Sequence, residues 1–257
     1  MDQIFKFMDF AHDKVIGIVG GMGPQAGQAL LDKIIRHTKA VSDQEHLSVV
    51  LMSFPRYIED RTAFLLGLTN VNPAISIVQI IRQLEHAGAT IIGMPCNTSH
   101  APAIFDIIRR ELSAINSHVK LIHMPTETCA YIRLLHKEVR RVGLMTTNGT
   151  YRTGLYKDLL EELGYEVIVP DYDFQDTVIH RMIYDPEFGI KSSPGIISCE
   201  VKKLLDRALS FFMDRKADAV ILGCTELPLV LTDSRVGNML IIDSTDVLAR
   251  ALIREAS

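Results

Sequence analysis

Short apolar runs of five or six residues recur along the chain. Each ends in a turn and is followed by a longer stretch in which apolar residues return every three or four positions. Runs rich in β-branched residues and bounded by turns read as buried strands, and the longer period reads as amphipathic helix. Residues 15–19 form the first such strand. It runs into Gly20-Gly21-Met22-Gly23-Pro24, a turn suited to glycine, and its proline fits the first turn of a helix. The pattern predicts a helix over 26–38, a strand over 46–53 and a loop holding Pro55, Arg56, Asp60 and Arg61. A helix over 72–87 is stopped by Gly88. A strand over 89–94, a helix over 102–112 and a strand over 119–123 complete the half.

The second half repeats this order, with a strand over 141–145, the polar turn Thr146-Thr147-Asn148-Gly149-Thr150 and a helix over 152–163. A strand over 165–169, a helix over 176–184, a loop over 186–194 and a long amphipathic helix over 196–215 follow. Strands over 218–222 and 239–242 and a last helix over 244–254 end the chain. Leu121-Ile122-His123-Met124-Pro125-Thr126-Glu127-Thr128 parallels Leu240-Ile241-Ile242-Asp243-Ser244-Thr245-Asp246-Val247, each placing a threonine and an acid where a helix starts. Strands alternating with helices predict parallel sheets. The expected fold is α/β, with two similar domains, each a parallel four-stranded sheet flanked by helices, facing each other across a cleft. Residues 14–125 with about 226–257 make the first domain, 126–225 the second, and 1–13 a short, partly helical extension. In such sheets ligands bind beyond the carboxyl ends of the strands.

Composition narrows the function. The chain has 257 residues, 47% hydrophobic and 23% charged, with a net charge of −4 and no clustered basic surface of the kind nucleic acid requires. Its apolar runs fall far short of the roughly 20 residues that span a membrane. The first residues lack a basic start followed by an apolar segment, so a secretory signal is not read and a cytoplasmic address is expected. The four cysteines, Cys96, Cys129, Cys199 and Cys224, include no Cys-x-x-Cys pair, and no disulfide framework is expected.

Two of these cysteines carry the candidate chemistry. Met94-Pro95-Cys96-Asn97-Thr98-Ser99-His100 and Gly223-Cys224-Thr225-Glu226 each follow an apolar strand, at matching corners half the chain apart. A cysteine there is often only a small buried hydrophobe. Here polar residues follow at once, which are costly to bury without a purpose. A helix start at each corner would also favour thiolate. Cys129 and Cys199 fall within predicted helices and read as ordinary packing residues. The Gly21-x-Gly23 turn lacks the third glycine and the distant acid of a dinucleotide site, and is read as a turn whose N–H groups approach a small anion. Cys96 and His100, four residues apart, lack the spacing of a zinc site. A cysteine hydrolase needs one cysteine and a histidine base, which leaves the second cysteine unexplained. Two opposed thiols can instead remove a proton from one face of a carbon and return one to the other. The carbanion so formed needs donors and positive charge around it, for which Thr98, Thr147, Thr225, Arg61 and Lys191 are candidates.

Together, the stretch from Ile16 to Pro24, Asp60-Arg61-Thr62, Met94-Pro95-Cys96-Asn97-Thr98 with His100, and Gly223-Cys224-Thr225-Glu226 resemble the aspartate/glutamate racemase superfamily over about 14–254. The aspartate branch is the nearest in appearance. Glu226, where glutamate racemases carry histidine, and the Gly20-Gly21-Met22 turn favour it. The resemblance implies a racemase independent of pyridoxal phosphate and metal, acting on a small acidic amino acid and commonly homodimeric. It implies Cys96 and Cys224 as the catalytic pair, with Met22, Arg61, Asn97, Thr98, Thr147, Lys191 and Thr225 holding substrate carboxylates. Open beside aspartate are glutamate or broad acidic specificity, another small carboxylate as substrate of a hydantoin racemase or cis–trans isomerase, and a non-catalytic small-acid binding protein.

Overall fold

A computed structural model describes residues 14–193 and 195–257. The expected extension 1–13, and Pro194 at the end of the expected loop, lie outside the described residues. Among the described residues, nine strands form two sheets. The first contains β1 (Val15–Gly20), β2 (Val49–Ser53), β3 (Ala89–Gly93) and β4 (Lys120–Leu121) in the order β2-β1-β3-β4, all parallel. The second contains β5 (Arg141–Thr146), β6 (Glu166–Ile168), β7 (Ala219–Gly223), β8 (Arg235–Val236) and β9 (Met239–Asp243) in the order β6-β5-β7-β9-β8. Its first four strands are parallel and repeat the order of the first sheet, while β8 adds an antiparallel edge. The second sheet is therefore five-stranded rather than four. The two residues Arg235 and Val236, lying just before the Gly237 turn, are too short a segment to register as a strand by periodicity.

Central strands β1 and β7 are buried at every position, and edge strand β2 is half-exposed. Continuous apolar runs are what a parallel sheet covered on both faces demands. Four apolar clusters fill the four sheet faces, one of them containing Cys96 and another Cys224.

The last strand of each unit hands its helix to the other sheet. Helix Met124–Leu135, which follows β4, packs Cys129 and Ile132 against Val142, Leu144 and Ile221 of the second sheet. Helix Ser244–Ala256, which follows β9, packs Leu248, Ala249, Ala251 and Leu252 with Ile16, Ile18 and Ile91 of the first. Burying a leucine contributes about 1.5–3 kcal/mol, so Leu248 and Leu252, both fully buried, hold the exchange in place. This corrects the expected boundary. Within 226–257 only the helix joins the first sheet, whereas β9 pairs in parallel with β7 in the second. Each exchanged helix is capped where the aligned segments suggest, though by a residue three positions before the threonine in one and two before it in the other. His123 Nδ1 accepts from Thr126 N, and Asp243 Oδ1 accepts from Thr245 N at 2.8 Å.

Three boundaries moved for local reasons. The helix expected over 152–163 is two, Asn148–Thr153 and Leu155–Glu162, because Gly154 sits at φ +66° between them. The long helix begins at Cys199, since the Ser198 hydroxyl caps it by accepting from Val201 N at 3.1 Å. The second cysteine corner opens only a single 3₁₀ turn, Leu227–Leu229, in place of the helix its counterpart reaches at Pro102.

Candidate active site

The carboxyl ends of β1, β3, β5 and β7 point at one another across the cleft, and each releases a turn that lines the same small cavity. From the turn after β1 comes Met22. The corner after β3 supplies Cys96, Asn97 and Thr98, that after β5 supplies Thr147, and that after β7 supplies Cys224 and Thr225. Arg61, the first residue of the short helix Arg61–Leu65, and Lys191, in the turn beyond helix Arg181–Tyr184, complete the wall. All nine residues singled out in the sequence thus meet at one cavity.

Its electrostatics are asymmetric. The Arg61 guanidinium is buried, donating from Nη2 to Met22 O at 3.1 Å and from Nη1 to Glu59 O at 3.2 Å. Its Nε hydrogen has no partner among the described residues. Burial works against its charge, but the nearby Cys96 sulfur, Tyr184 and Asp60 outweigh that and hold the proton more firmly than usual. A buried, permanently charged guanidinium with a spare donor suits a carboxylate.

On the opposite side, Glu226 is buried among four donors. Its Oε1 accepts from Lys191 Nζ at 2.6 Å and Gly23 N at 3.2 Å, and its Oε2 from Cys224 Sγ at 3.0 Å and Thr225 Oγ1 at 3.4 Å. Burial would raise its pKa, yet Lys191 together with these hydrogen bonds leaves it below the ordinary glutamate value. A Cβ on Gly23 would lie 2.8 Å from Oε1, so glycine is what admits the carboxylate to this turn. The glycine turn does approach an anion, as its sequence suggests, and that anion is the protein's own. Burial and then Glu226 push the Cys224 thiol well above its ordinary value, against the smaller opposing pull of Lys191. The expectation that a helix start favours thiolate fails here, because no full helix follows this corner and a carboxylate sits beside the sulfur.

Polar side chains bridge the two halves around the cavity. Thr98 Oγ1 lies 3.1 Å from Thr147 Oγ1 and 2.9 Å from Thr150 Oγ1. Asn97 Oδ1 accepts from Tyr156 OH at 2.5 Å, and its Nδ2 donates to Ser244 Oγ at 3.2 Å. One Nδ2 hydrogen of Asn97 remains for a ligand. Thr225 Oγ1 reaches Pro95 O, just before the opposite cysteine, at 3.3 Å.

His100 packs behind Cys96 rather than beside its sulfur. Nδ1 lies 2.9 Å from Cys96 O and Nε2 3.4 Å from Ile122 O, and the ring stacks on Phe105. Burial first and His123 second push its pKa down to about 3. Once unfolded it would protonate near ~6.5, so above that pH it contributes no pH dependence. Below it the unfolded chain binds the extra proton, and stability falls by up to ~1.4 kcal/mol per pH unit until His100 also protonates in the folded state. Urea unfolding at pH 7 and pH 5 is expected to show this loss, with a shallower slope in His100→Asn. His123 and His180, lowered chiefly by burial, leave a residual slope. An unchanged slope in the variant would exclude His100 as its source.

Cys129 is buried and pushed up to about 12 by that burial, and Cys199 is exposed at a helix start. Neither lines the cavity, in keeping with their ordinary reading. Sequence reasoning missed Tyr184, which lines the cavity and donates to Asp60 Oδ2 at 3.1 Å, and did not select Glu226. Tyr184 lies in a helical stretch with no local signal. For Glu226 a signal existed, an acid two residues after a cysteine at a buried corner. No helix of the described residues is long and apolar enough to cross a membrane.

A family profile described as Asp/Glu/Hydantoin racemase matches residues 19–252. The chain is 26% identical over 244 residues to the broad specificity amino-acid racemase RacX of Bacillus subtilis (strain 168), covering 93% of this chain and 96% of the relative. Among solved structures, the Picrophilus torridus aspartate racemase matches with a TM-score of 0.74 and 28% identity, over 95% of this chain and 94% of that one. An aspartate racemase homologue from Pyrococcus horikoshii OT3 matches with a TM-score of 0.67 and 26% identity, over 95% and 99%.

Proposed function

This chain belongs to the Asp/Glu/hydantoin racemase family, and from its site we propose that it interconverts L- and D-aspartate without a cofactor, by a two-base mechanism on Cys96 and Cys224. The observation that carries the reading is one cysteine from each half on the wall of a single cavity, with Arg61 and Lys191 beside them. One sulfur, as thiolate, takes the α-proton, and the C–H electron pair passes into the carboxylate as an enediolate. The other sulfur, as thiol, gives its proton to the opposite face of the same carbon. The enzyme is left with its two protonation states exchanged, and the reverse reaction restores them. The hydroxyls of Thr98 and Thr147 and the spare N–H of Asn97 are donors for the developing charge, with Thr225, whose hydroxyl is held by Glu226 and Pro95, on the same wall. Arg61 takes a substrate carboxylate and fixes the α-carbon between the sulfurs.

An acidic substrate is preferred because an arginine with a free donor gives a second carboxylate its place, and aspartate because of the likeness to an aspartate racemase structure. Broad acidic specificity is the second reading, favoured by the likeness to a broad-specificity relative. The same reading carries a homodimer and a cytoplasmic address as expectations. Proton NMR of L-aspartate, then L-glutamate, in D₂O with no added cofactor tests it. Loss of the α-proton signal with appearance of the D-isomer is expected for aspartate. Equal rates with glutamate select the broad reading. No exchange with either acid removes the acidic-amino-acid reading in favour of another small carboxylate or a binding protein.

A further inference from the structure

The two candidate bases have opposite electrostatic neighbours. Cys96 lies beside the Arg61 guanidinium, whereas Cys224 Sγ sits 3.0 Å from a carboxylate oxygen of Glu226. We propose that Glu226 is a positioning residue that keeps the proton on Cys224 in the substrate-free protein.

The geometry gives Glu226 no freedom to act otherwise. Both its oxygens are engaged, Oε1 by Lys191 and Gly23 and Oε2 by Thr225 and Cys224. Of these four contacts, Lys191 is the charged partner that keeps the carboxylate ionised. An ionised oxygen only accepts, so the group 3.0 Å from it must donate. Cys224 therefore meets Oε2 as a thiol, and a thiolate there would place two negative charges in direct contact. Charged and titratable groups face Cys224 from every wall: Glu226 from its own turn, Lys191 from the turn beyond helix Arg181–Tyr184, and Tyr184, Arg61 and Cys96 from across the cavity. Of these, Glu226 is the carboxylate. Cys224 is then the proton donor of the resting protein, and the enantiomer presenting its α-proton to Cys96 is the one whose inversion it can complete. When substrate hands a proton to Cys96, Cys224 delivers its own to the opposite face, and Lys191 is placed to balance the charge that appears there.

The ordinary alternative is that Glu226 and Lys191 form a structural ion pair with no hold on the cysteine. The two assignments differ in sign. The full-length protein is labelled with cysteine carrying ¹³C at Cβ, and the Cβ shift of each cysteine is followed from pH 6 to 10 without substrate. Cys224 is expected to remain thiol through neutral pH. Glu226→Gln removes the carboxylate and keeps Lys191, and is expected to lower the Cys224 midpoint by at least about one pH unit, a tenfold gain in the thiolate-to-thiol ratio. Glu226→Asp, which retains the charge, restores a high midpoint. Lys191→Arg perturbs the packing of the same ion pair but keeps the positive charge that holds Glu226 ionised, and does not lower the midpoint. Three results overturn the assignment: a Cys224 already ionised at pH 7, a midpoint unmoved in Glu226→Gln, or an equal fall in Lys191→Arg, the mark of simple loosening. The Cβ shift of buried Cys129 reports whether any variant has lost its packing. The proposal rests on the two-cysteine reading of the site. Because the titration uses no substrate, it stands or falls separately from any failure to find racemisation.

Discussion

Replacing either Cys96 or Cys224 with alanine is expected to lower racemisation by about 10²–10⁴-fold, the usual contribution of a positioned proton donor or acceptor. The physical reason is geometric. A single base can only return a proton to the face it came from, so the surviving thiol supports exchange at best and not inversion. Both single variants should therefore fail alike, and the double variant should lose little more, because the two residues act as one unit. Measuring L-to-D conversion beside α-proton exchange in D₂O separates the two outcomes. Retention of more than about a tenth of the rate in either variant would assign the proton transfer elsewhere. Each side chain is small and sits in an apolar cluster, so the fold should survive the change with losses of at most ~1–2 kcal/mol.

Arg61→Met is expected to separate function from stability. Truncating one partner of a buried, hydrogen-bonded charge pair costs ~2–5 kcal/mol, which corresponds to a fall in kcat/KM of roughly 30- to 4,000-fold at ~1.4 kcal/mol per decade. Without substrate the same change should leave unfolding in urea within ~1 kcal/mol of the parent, or raise it. A buried charge that no ionised partner neutralises costs desolvation, and an apolar side chain of similar length removes that cost. The structure supports that expectation, because Arg61 donates to two backbone carbonyls and makes no salt bridge among the described residues, where its Nε is also unpartnered. Protection by aspartate against thermal unfolding should disappear in the variant. A large loss of stability without substrate would instead make Arg61 a structural residue, and an unaffected kcat/KM would remove it from substrate binding.

Much of this molecule was legible before any coordinates. The continuous apolar runs at β1, β3, β5 and β7 specify buried parallel strands because such runs have no polar face to turn to water. The turns that end them specify where a ligand goes, since carboxyl ends of parallel strands share one side of the sheet. From those two facts follow the α/β halves and their repetition, while the full set of nine residues at the cavity is what the resemblance to the racemase superfamily implies. What sequence left undetermined is whatever depends on partners distant in the chain. Helices Met124–Leu135 and Ser244–Ala256 have the same amphipathic pattern wherever they dock, and only packing against Ile221 or Ile91 decides which sheet each covers. Strand β9 carries nothing in its own residues that names β7 as its neighbour. The same holds at the site. Cys224 at a strand-to-helix corner reads locally as a favoured thiolate, yet Glu226, fixed from afar by Lys191 and Gly23, makes it a thiol. Periodicity and turn chemistry are local and survive in the string of residues, whereas charge at a buried sulfur is set by whatever the fold brings within a few ångströms.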